Sequence, residues 1–266
     1  MHVVVCIKSV PETTQVAFNP DTGTMIREGL GTIINPFDMY AIEEALRIVE
    51  RHGGRATVMT MGPPQAAQEL REAMAMGCER GVLLSARAFA GADTWATAYT
   101  LSAAIRALGG ADLVLCGKQA MDGDTGQVGP GIASQLGMAP LTYVWRIREI
   151  EPASGRIVVE RLLEEGTEIV SAPLPAVVTV LKGINTPRYP TRRGLRRARR
   201  TELEVWGPQD LPGIDPECLG LSGSPTQVVR VFSPEVRAGG VRLFEGGTLE
   251  TAADALAEQL IADRLV

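Results

Sequence analysis

The first half of this sequence alternates short, almost continuous apolar runs with longer segments in which apolar residues recur at helical spacing. Runs of this kind are typical of strands that are covered on both faces of a sheet. Four of them predict strands: His2 to Lys8, Arg55 to Met61, Gly81 to Ser85 and Ala111 to Cys116. Because strands joined by single helices require right-handed parallel crossovers, the sequence predicts an α/β fold with a doubly wound, mostly parallel sheet.

The segments between these strands have the period of a helix and end at glycines. From Ile42 to Val49 the apolar residues fall at i, i+3, i+4 and i+7, and Gly53-Gly54 then ends the helix. Three further stripes of this kind follow along the chain. Since ligands of doubly wound sheets bind beyond the carboxyl ends of the strands, we expect the ligand at the loops after Lys8, Met61 and Cys116.

The second half of the sequence has a different pattern. Leu141 to Glu151 and Arg156 to Leu163 predict a β-hairpin, and Pro175 to Leu181 predicts one more buried strand. Beyond it we expect irregular structure through an arginine-rich stretch, and a last amphipathic helix from Thr248. Because this tail has little core of its own, residues 206–266 are expected to form an arm that wraps a partner.

Composition and residue counts exclude several classes of protein. No apolar stretch reaches the roughly 20 residues of a membrane helix, and the N-terminus lacks the pattern of a secretory signal, so we expect a soluble, cytoplasmic protein with no membrane insertion. The four cysteines are scattered, which disfavours a metal site and favours reduced, packed thiols. With only two histidines, a histidine-based catalytic triad is not expected.

The stretch from Gly117 to Pro130, GKQAMDGDTGQVGP, contains the strongest motif of the chain. Its glycines allow the backbone to approach a ligand closely, and Pro130 fits only the first turn of a helix. Free N–H groups at the positive end of that helix are a natural binding site for a phosphate. The stretch is neither a Walker loop nor a Rossmann fingerprint. On spacing alone, a glycine-rich turn with two solvated aspartates remains an equal alternative.

This loop resembles the nucleotide-binding signature of electron-transfer flavoprotein (ETF) β subunits, G-[KR]-Q-A-[IM]-D-x-D followed by Q-x-G. Other stretches resemble segments of that family in the same order, so the resemblance covers roughly residues 1–205. They are Val5 to Lys8, Asn35 to Asp38 with Ala41 to Ala45, Met61 to Pro63 with Ala73 to Gly77, and Leu174 to Thr179 with Asn185 to Tyr189.

The resemblance implies an adenine-nucleotide-binding α/β domain over residues 1–205, and an arm over residues 206–266 that packs on an α subunit. That α subunit would carry an FAD, and the two chains would form an obligate heterodimer. Within the domain, residues 185–200 would be the partner-docking segment. The β subunit itself would bind a second adenine nucleotide, which is AMP in housekeeping members of the family and FAD in electron-bifurcating members.

By matching position, the resemblance also implies which residues contact the nucleotide. Backbone groups near Cys6 and Met61 would frame the adenosine, and the amides from Gly123 to Gly129 would bind the phosphate. No side chain is expected to act as acid, base or nucleophile. The implied contacts are Cys6, Asn35, Pro36, Phe37, Asp38, Met61, Asp122, Gly123, Asp124, Thr125, Gly126, Gln127, Val128, Gly129, Pro130, Gly131, Ile132 and Ala133. Local alternatives stay open: Asn35-Pro36 as a simple turn, Asp38 as a helix cap and Met61 as a core residue.

The small loop from Asp122 to Thr125 resembles bifurcating and nitrogen-fixation-associated members, which favours FAD over AMP. NADH would then reduce this flavin, and its two electrons would separate to the α-subunit FAD and to a low-potential acceptor. Two alternatives remain: a one-FAD shuttle with a structural AMP, and an ATP-binding hydrolase or sensor of similar fold. The motifs that the latter would carry after the first strand are absent.

Seven arginines lie between Arg188 and Arg200 with no acid among them, although the whole chain carries a net charge of −5. A solvated face is one explanation, and the acidic remainder of the chain disfavours nucleic-acid binding. By resemblance, the segment docks an acyl-CoA dehydrogenase or another oxidoreductase. The family's anchoring leucine corresponds to Arg192 here, so we expect electrostatic docking. The predicted docking residues are Tyr189, Arg192, Arg193, Leu195 and Arg196.

Overall fold

The computed structural model describes residues 1–12, 31–229, 243–244 and 247–265. The chain divides into two compact units, Met1–Arg230 and Val231–Val266, and each is described by itself.

The first unit is built on a nine-stranded sheet with the strand order β11-β5-β4-β1-β6-β10-β7-β8-β9, beside a separate antiparallel pair of β2 with β3. The strands are β1 (His2–Cys6), β2 (Ser9–Pro11), β3 (Thr32–Ile34), β4 (Arg55–Met61), β5 (Arg80–Leu84), β6 (Leu113–Gly117), β7 (Ala139–Glu151), β8 (Arg156–Leu163), β9 (Gly166–Pro173), β10 (Ala176–Val180) and β11 (Glu204–Trp206). Every pairing from β11 to β7 is parallel, and β8 and β9 extend the sheet antiparallel. The predicted fold class is confirmed.

Helices cover both faces of this sheet. They are α1 (Pro36–His52), α2 (Ala67–Met76), α3 (Thr94–Ala107), α4 (Val128–Leu136) and α5 (Arg192–Arg200); α6 (Leu249–Ala262) belongs to the second unit. Along β1, Val3 and Val5 point into a core formed with α1 and α2, whereas Val4 and Cys6 point into a core with α3 and α4. Both faces of the strand are therefore buried, which explains why its sequence is continuously apolar.

The predicted strands agree with the structure where burial on both faces gives a strong signal. β4 and β8 have the predicted bounds, and β1, β5, β6, β7 and β10 lie within two residues of them. The short strands β2, β3 and β11 and the largely exposed strand β9 were not predicted. After β11 the chain continues to pack on this unit, since Leu211 and Leu219 are buried in the core with α3 and α4.

The arginine-rich stretch was predicted to be irregular, and this was wrong, because it contains the helix α5. Its backbone lies against the end of α2: a Cβ on Gly194 would be 2.0 Å from the carbonyl oxygen of Ala75. Arg197 Nη2 donates to the carbonyl oxygens of Met74 (2.8 Å) and Cys78 (3.2 Å), which lie at the carboxyl end of α2. Packing and these bonds stabilise a helix that charge repulsion alone would disfavour.

The second unit contains α6, which begins at the capping residue Thr248 and has no buried residue. The exposed apolar residues of this second unit include Leu249, Leu256, Ile261 and Leu265. In the residues that the structure describes, no helix is long and apolar enough to cross a membrane.

We expect Gly194→Ala to destabilise the protein by about 1–3 kcal/mol, because the added methyl group forces α5 away from α2. Urea denaturation followed by circular dichroism measures the change. Arg199→Ala is the matched control, since Arg199 is exposed on the same helix and alanine is an equally good helix former. Equal free energies of unfolding for the two variants would contradict the packing argument.

Candidate functional site

The strand order places a crevice at the carboxyl edge of the sheet, between the loops that follow β1 and β6. β1 and β6 are neighbours in the sheet, but the chain continues from β1 toward β4 on one side and from β6 toward β7 on the other. The loops that follow these two strands therefore diverge, and this is where doubly wound sheets bind ligands. The loop after β6, residues 118–127, forms one wall of the crevice. We call it the crevice loop.

Asn35, just before α1, holds the crevice loop in place. Its side chain is buried, with Nδ2 donating to the carbonyl oxygen of Gln119 (2.8 Å) and Oδ1 accepting from the N–H of Met121 (3.1 Å). Its own N–H donates to the carbonyl oxygen of Lys8 at 2.8 Å. Asn35 is thus more than a simple turn residue, and its predicted contact with a nucleotide remains a prediction.

Asp38 connects the ends of β1 and β6. Its buried carboxylate accepts the N–H of Lys8 (2.8 Å) on Oδ2 and the N–H of Gly117 (3.0 Å) on Oδ1. Burial raises the pKa of Asp38 to about 7, although the hydrogen bonds from Lys8, Asn35 and Gly117 act in the opposite direction. The residue at the N-cap of α1 is Asn35, so Asp38 bridges two loops and does not cap the helix.

Gly117 allows α1 to approach β6 closely. A Cβ at this position would lie 2.4 Å from Oδ1 of Asp38 and 2.6 Å from Cβ of Phe37. The first turn of α1, with Pro36 and Phe37, is thereby held beside the start of the crevice loop.

Both aspartates of the crevice loop are engaged within the protein. Asp122 forms an ion pair with Nζ of Lys8 at 2.7 Å, and Asp124 accepts from Nε2 of Gln119. Asp124 and Gly126 have positive φ angles of 52° and 62°, so the backbone turns sharply before α4. The negative charge that would repel a phosphate is therefore partly balanced.

The N-terminus of α4 is open. No side chain among the described residues caps it, because Oε1 of the N-cap residue Gln127 accepts instead from Oγ1 of Thr94 at 2.8 Å. A Cβ on Gly129 would lie 2.4 Å from Cγ2 of Thr179, so only glycine allows this helix to lie so close to β10. The free N–H groups of the first turn suit a phosphate, as predicted for this stretch.

The other predicted nucleotide contacts differ in how deeply they are buried. Cys6 is opposite Cys116 on the neighbouring strand, and both residues are buried. The hydrogen bond with Cys6 and the burial of the thiol raise the pKa of Cys116. Met61 ends β4 and packs against the core. Along α4, Val128, Pro130 and Gly131 are partly exposed, whereas Ile132 and Ala133 are buried. Ligand contact through any of these residues remains a prediction.

Sequence reasoning missed several residues that shape the site. Lys8 lies two residues beyond β1 and Gly117 ends β6, and a place at the end of a strand was the signal that could have assigned them. Thr94 and Thr179 come from distant parts of the chain, and nothing in their local sequence connects them with α4.

The comparisons with known proteins agree with this geometry. A model of the electron transfer flavoprotein domain matches residues 22–211. The electron transfer flavoprotein subunit beta of Thermoanaerobacterium thermosaccharolyticum is 47% identical, over 98% of this chain and 98% of that protein. This chain belongs to the ETF β family.

Two other relatives of this ETF β chain are similar at the same level. Protein FixA of Azorhizobium caulinodans is 48% identical over 90% of this chain and 86% of that protein. The caffeyl-CoA reductase-Etf complex subunit CarD of Acetobacterium woodii is 46% identical over 98% of both. The chain is thus an ETF β-type electron-transfer subunit, a kind of subunit that pairs with an α subunit.

The predicted docking segment of this ETF β chain, residues 185–200, is fixed to α1. Nδ2 of Asn185 donates to the carbonyl oxygen of Tyr40 and to Oε2 of Glu44, both at 2.9 Å. Nε of Arg188 donates to the buried Glu43 at 2.8 Å, and its Nη2 reaches Glu50 at 3.1 Å. Burial alone would raise the pKa of Glu43, but the hydrogen bonds from the arginines hold that pKa below its usual range.

The predicted docking residues share one exposed region on and beside α5. Tyr189 is 92% exposed and Leu195 is 42% exposed. Arg192, Arg193 and Arg196 are exposed as well, and within the described ranges none of them has a carboxylate partner. We call this surface the arginine face, together with Arg199 and Arg200.

Asp38 predicts an unusual dependence of stability on pH. Its pKa is about 7 in the folded protein against 3.8 for the free group, so the native state binds the proton more tightly. Its contribution to the free energy of unfolding therefore falls as the pH rises from about 4 to 7, and is constant above 7. Asp38→Asn removes this dependence.

We expect the free energy of unfolding of the wild type, relative to that of Asp38→Asn, to be highest at pH 4. This difference in free energy should fall by about 2–4 kcal/mol between pH 4 and pH 8. Urea denaturation at several pH values measures it, with the exposed Asp263→Asn as control. A difference that is independent of pH would contradict the assignment.

Proposed function

We propose that this ETF β subunit binds a second FAD in the crevice between the loops after β1 and β6, and transfers electrons together with an α subunit that carries the other FAD. This proposal rests on the open N-terminus of α4 and on the crevice loop in front of it. In that loop Gly123, Asp124 and Thr125 are small and exposed, and we call these three residues the rim. The family alone implies an adenine nucleotide; the identification as FAD is our proposal.

The phosphate would bind at the first turn of α4. The helix dipole places a partial positive charge there, and the uncapped N–H groups provide donors in the geometry that phosphates use. Lys8 balances the charge of Asp122, and Asp124 accepts a hydrogen bond from the side-chain amide of Gln119, so the repulsion of a phosphate is reduced. The adenosine would lie toward the ends of β1 and β4, near Cys6 and Met61.

The small side chains of the crevice loop favour FAD over AMP. A Cβ on Gly123 would have only one neighbour within 4 Å, Nζ of Lys8 at 3.9 Å, so the space in front of it is open. Gly123, Asp124 and Thr125 are exposed, and Gly126 adds no side chain. The rim thus leaves room for a ligand that continues beyond the first phosphate. The similarity to CarD, a subunit of a caffeyl-CoA reductase-Etf complex, supports a larger redox assembly.

FAD, when bound, would accept two electrons from NADH and release them singly, one to the α-subunit FAD and one to a low-potential acceptor. The residues of this chain would bind and orient the cofactor. Among the described residues the crevice has no histidine, and its carboxylates bind the protein backbone, a lysine or a glutamine amide. The protein would therefore act through binding and electrostatics.

The second unit supports pairing with an α subunit. α6 exposes Leu249, Leu256 and Ile261 along a helix without buried residues, and Leu265 is exposed just beyond its end. An amphipathic helix of this kind needs an apolar surface to cover it. We propose that residues 206–266 include the arm that packs on the α subunit, with α6 as its last element.

The nucleotide content of the heterodimer tests the cofactor assignment. We expect the chain, co-expressed with the α subunit from its gene neighbourhood, to release two FAD and no AMP per heterodimer on denaturation. Thr125→Tyr fills the rim and should lower the FAD content to about one, because the second flavin no longer fits. Thr167→Tyr, on the exposed strand β9, is the control. One FAD and one AMP from the wild type would contradict the proposal.

We further propose that the arginine face docks an acidic surface of the redox partner, an acyl-CoA dehydrogenase or another oxidoreductase. Unpaired surface cations accelerate and orient docking, and their effect falls as salt screens them. Leu195 and Tyr189 add apolar contact at the same place.

Replacing Arg192, Arg193 and Arg196 together by glutamine should weaken partner binding about tenfold at low salt and reduce its salt dependence. Surface plasmon resonance at several ionic strengths measures both effects. The triple lysine variant is the matched control, because it keeps the charge. Unchanged affinity of the glutamine variant, or a wild-type affinity that does not respond to salt, would contradict electrostatic docking.

A further inference from the structure

A cleft of about 320 Å³ lies between the second half of α1 and the second half of β7. The apolar part of its lining consists of four isoleucines, Ile48, Ile147, Ile150 and Ile184. The first and third of these are buried, and the other two are partly exposed. We call this site the isoleucine cleft. Its volume is that of roughly ten water molecules, so it has room for a small organic ligand.

Arginines line the isoleucine cleft on both walls. Arg47 and Arg51 come from α1, and Arg146 and Arg148 come from β7. All four residues are exposed, so their guanidinium groups are open to a ligand. A guanidinium group binds a carboxylate through two parallel N–H···O bonds. Arginines on facing walls therefore suit a ligand that has a carboxylate at each end.

The protein neutralises these arginines incompletely. On β7, Arg146 and Arg148 share one buried carboxylate, that of Glu160, and Nη1 of Arg146 is 3.9 Å from its Oε1. On α1, Arg51 forms no ion pair with any residue that the structure describes. Each wall thus has one guanidinium group without a close counter-ion of its own.

Two acids, Glu44 and Glu149, also line the isoleucine cleft and oppose an anion there. Both are engaged by donors from outside the lining. Nδ2 of Asn185 donates to Oε2 of Glu44 at 2.9 Å, and Nη2 of Arg156 lies 2.8 Å from Oε2 of Glu149. The partial negative charge at the carboxyl end of α1 is offset by the basic residues of its last turn. With four arginines against two engaged acids, the lining is cationic.

The isoleucine cleft is separate from the nucleotide crevice. Asp38, which shapes the crevice, lies in the first turn of α1, and Arg51 lies in its last turn, thirteen residues later. This separation corresponds to about 20 Å along the helix. A ligand in the cleft would therefore bind independently of a nucleotide in the crevice.

We infer that the isoleucine cleft is a binding site for a small aliphatic dicarboxylate. One carboxylate pairs with Arg51 on α1 and the other with Arg146 on β7, and the methylene chain between them lies on the isoleucines. Charged ends with an apolar middle match a lining in which guanidinium groups surround apolar side chains. Because Ile184 directly precedes residues 185–200, the ligand would also lie beside the start of the segment that we propose for partner docking.

Isothermal titration of adipate into the intact heterodimer with its α subunit tests this site. We expect the wild type to bind one adipate with a Kd on the order of 0.1–1 mM, which is reasonable for a ligand of this size. Adipamide has the same length without the charges, and acetate reaches only one wall. Both should bind at least about tenfold more weakly than adipate, because each loses charge-assisted hydrogen bonds.

Variants of the two walls locate the bound anion. Arg51→Gln and Arg146→Gln should each weaken adipate about fivefold, and the double variant about twentyfold or more. Arg47 and Arg148 are kept, because each binds a buried carboxylate through Nε. The matched control is the triple glutamine variant of the arginine face, which removes more positive charge outside the cleft and should bind adipate as the wild type does. Circular dichroism melts check that each variant is folded.

Three results would overturn the inference. The first is a wild-type heterodimer that binds no adipate at millimolar concentrations. The second is equal binding of adipate and adipamide, because the arginines would then contribute nothing. The third is wild-type affinity in the double variant together with weakened binding in the triple variant, which would place the anion on the arginine face. None of these results bears on the nucleotide crevice, whose FAD and AMP content is measured separately.

Discussion

The buried carboxylate of Asp38 forms the interactions on which the crevice between β1 and β6 depends. Its two oxygens accept N–H groups from the ends of β1 and β6, the two strands whose loops form the crevice. A buried carboxylate is costly unless donors surround it, and here the donors are backbone groups that the parallel sheet would otherwise leave unpaired at its edge. Asn35, three residues earlier, binds the crevice loop by the same principle. The crevice is thus shaped by the first turn of α1.

The same helix also positions the segment that we propose for partner docking. Glu43 is buried where it binds Arg188, and Glu44 binds Asn185, so the chain that leads into α5 is held on the middle of α1. A buried ion pair contributes little net stability, but it is strongly specific, because losing either partner leaves a charge unpaired. One helix therefore relates the crevice and the arginine face to each other. In the proposed function this matters, since a cofactor in the crevice and a partner on the arginine face would keep a defined separation.

The sequence predicted those parts of the fold that local periodicity encodes. Val3 to Cys6 are apolar without interruption because both faces of β1 are buried, and the residues from Gly117 to Pro130 predict a loop followed by a helix.

The sequence could not predict α5, because a run of arginines has no apolar stripe. The stability of this helix comes from Gly194, which lies against Ala75 far away in the chain. Nor could it reveal that Asp38 bridges two strands, because that role exists only once β1 and β6 are neighbours. Thr179, which contacts both Tyr143 and Gly129, is hidden for the same reason.

Most polar side chains of the crevice are used to build the crevice itself. Asn35, Asp38, Asp122 and Asp124 all bind groups of the protein, which leaves the N–H groups in the first turn of α4 to face a ligand. Among the described residues, such a site offers hydrogen-bond donors in rigid positions, and its carboxylates are held by groups of the protein. That combination suits a cofactor that carries its own redox chemistry, because the protein then needs only to hold it and set its electrostatic surroundings. The arrangement of the crevice thus argues for electron transfer through a bound nucleotide over hydrolysis of one.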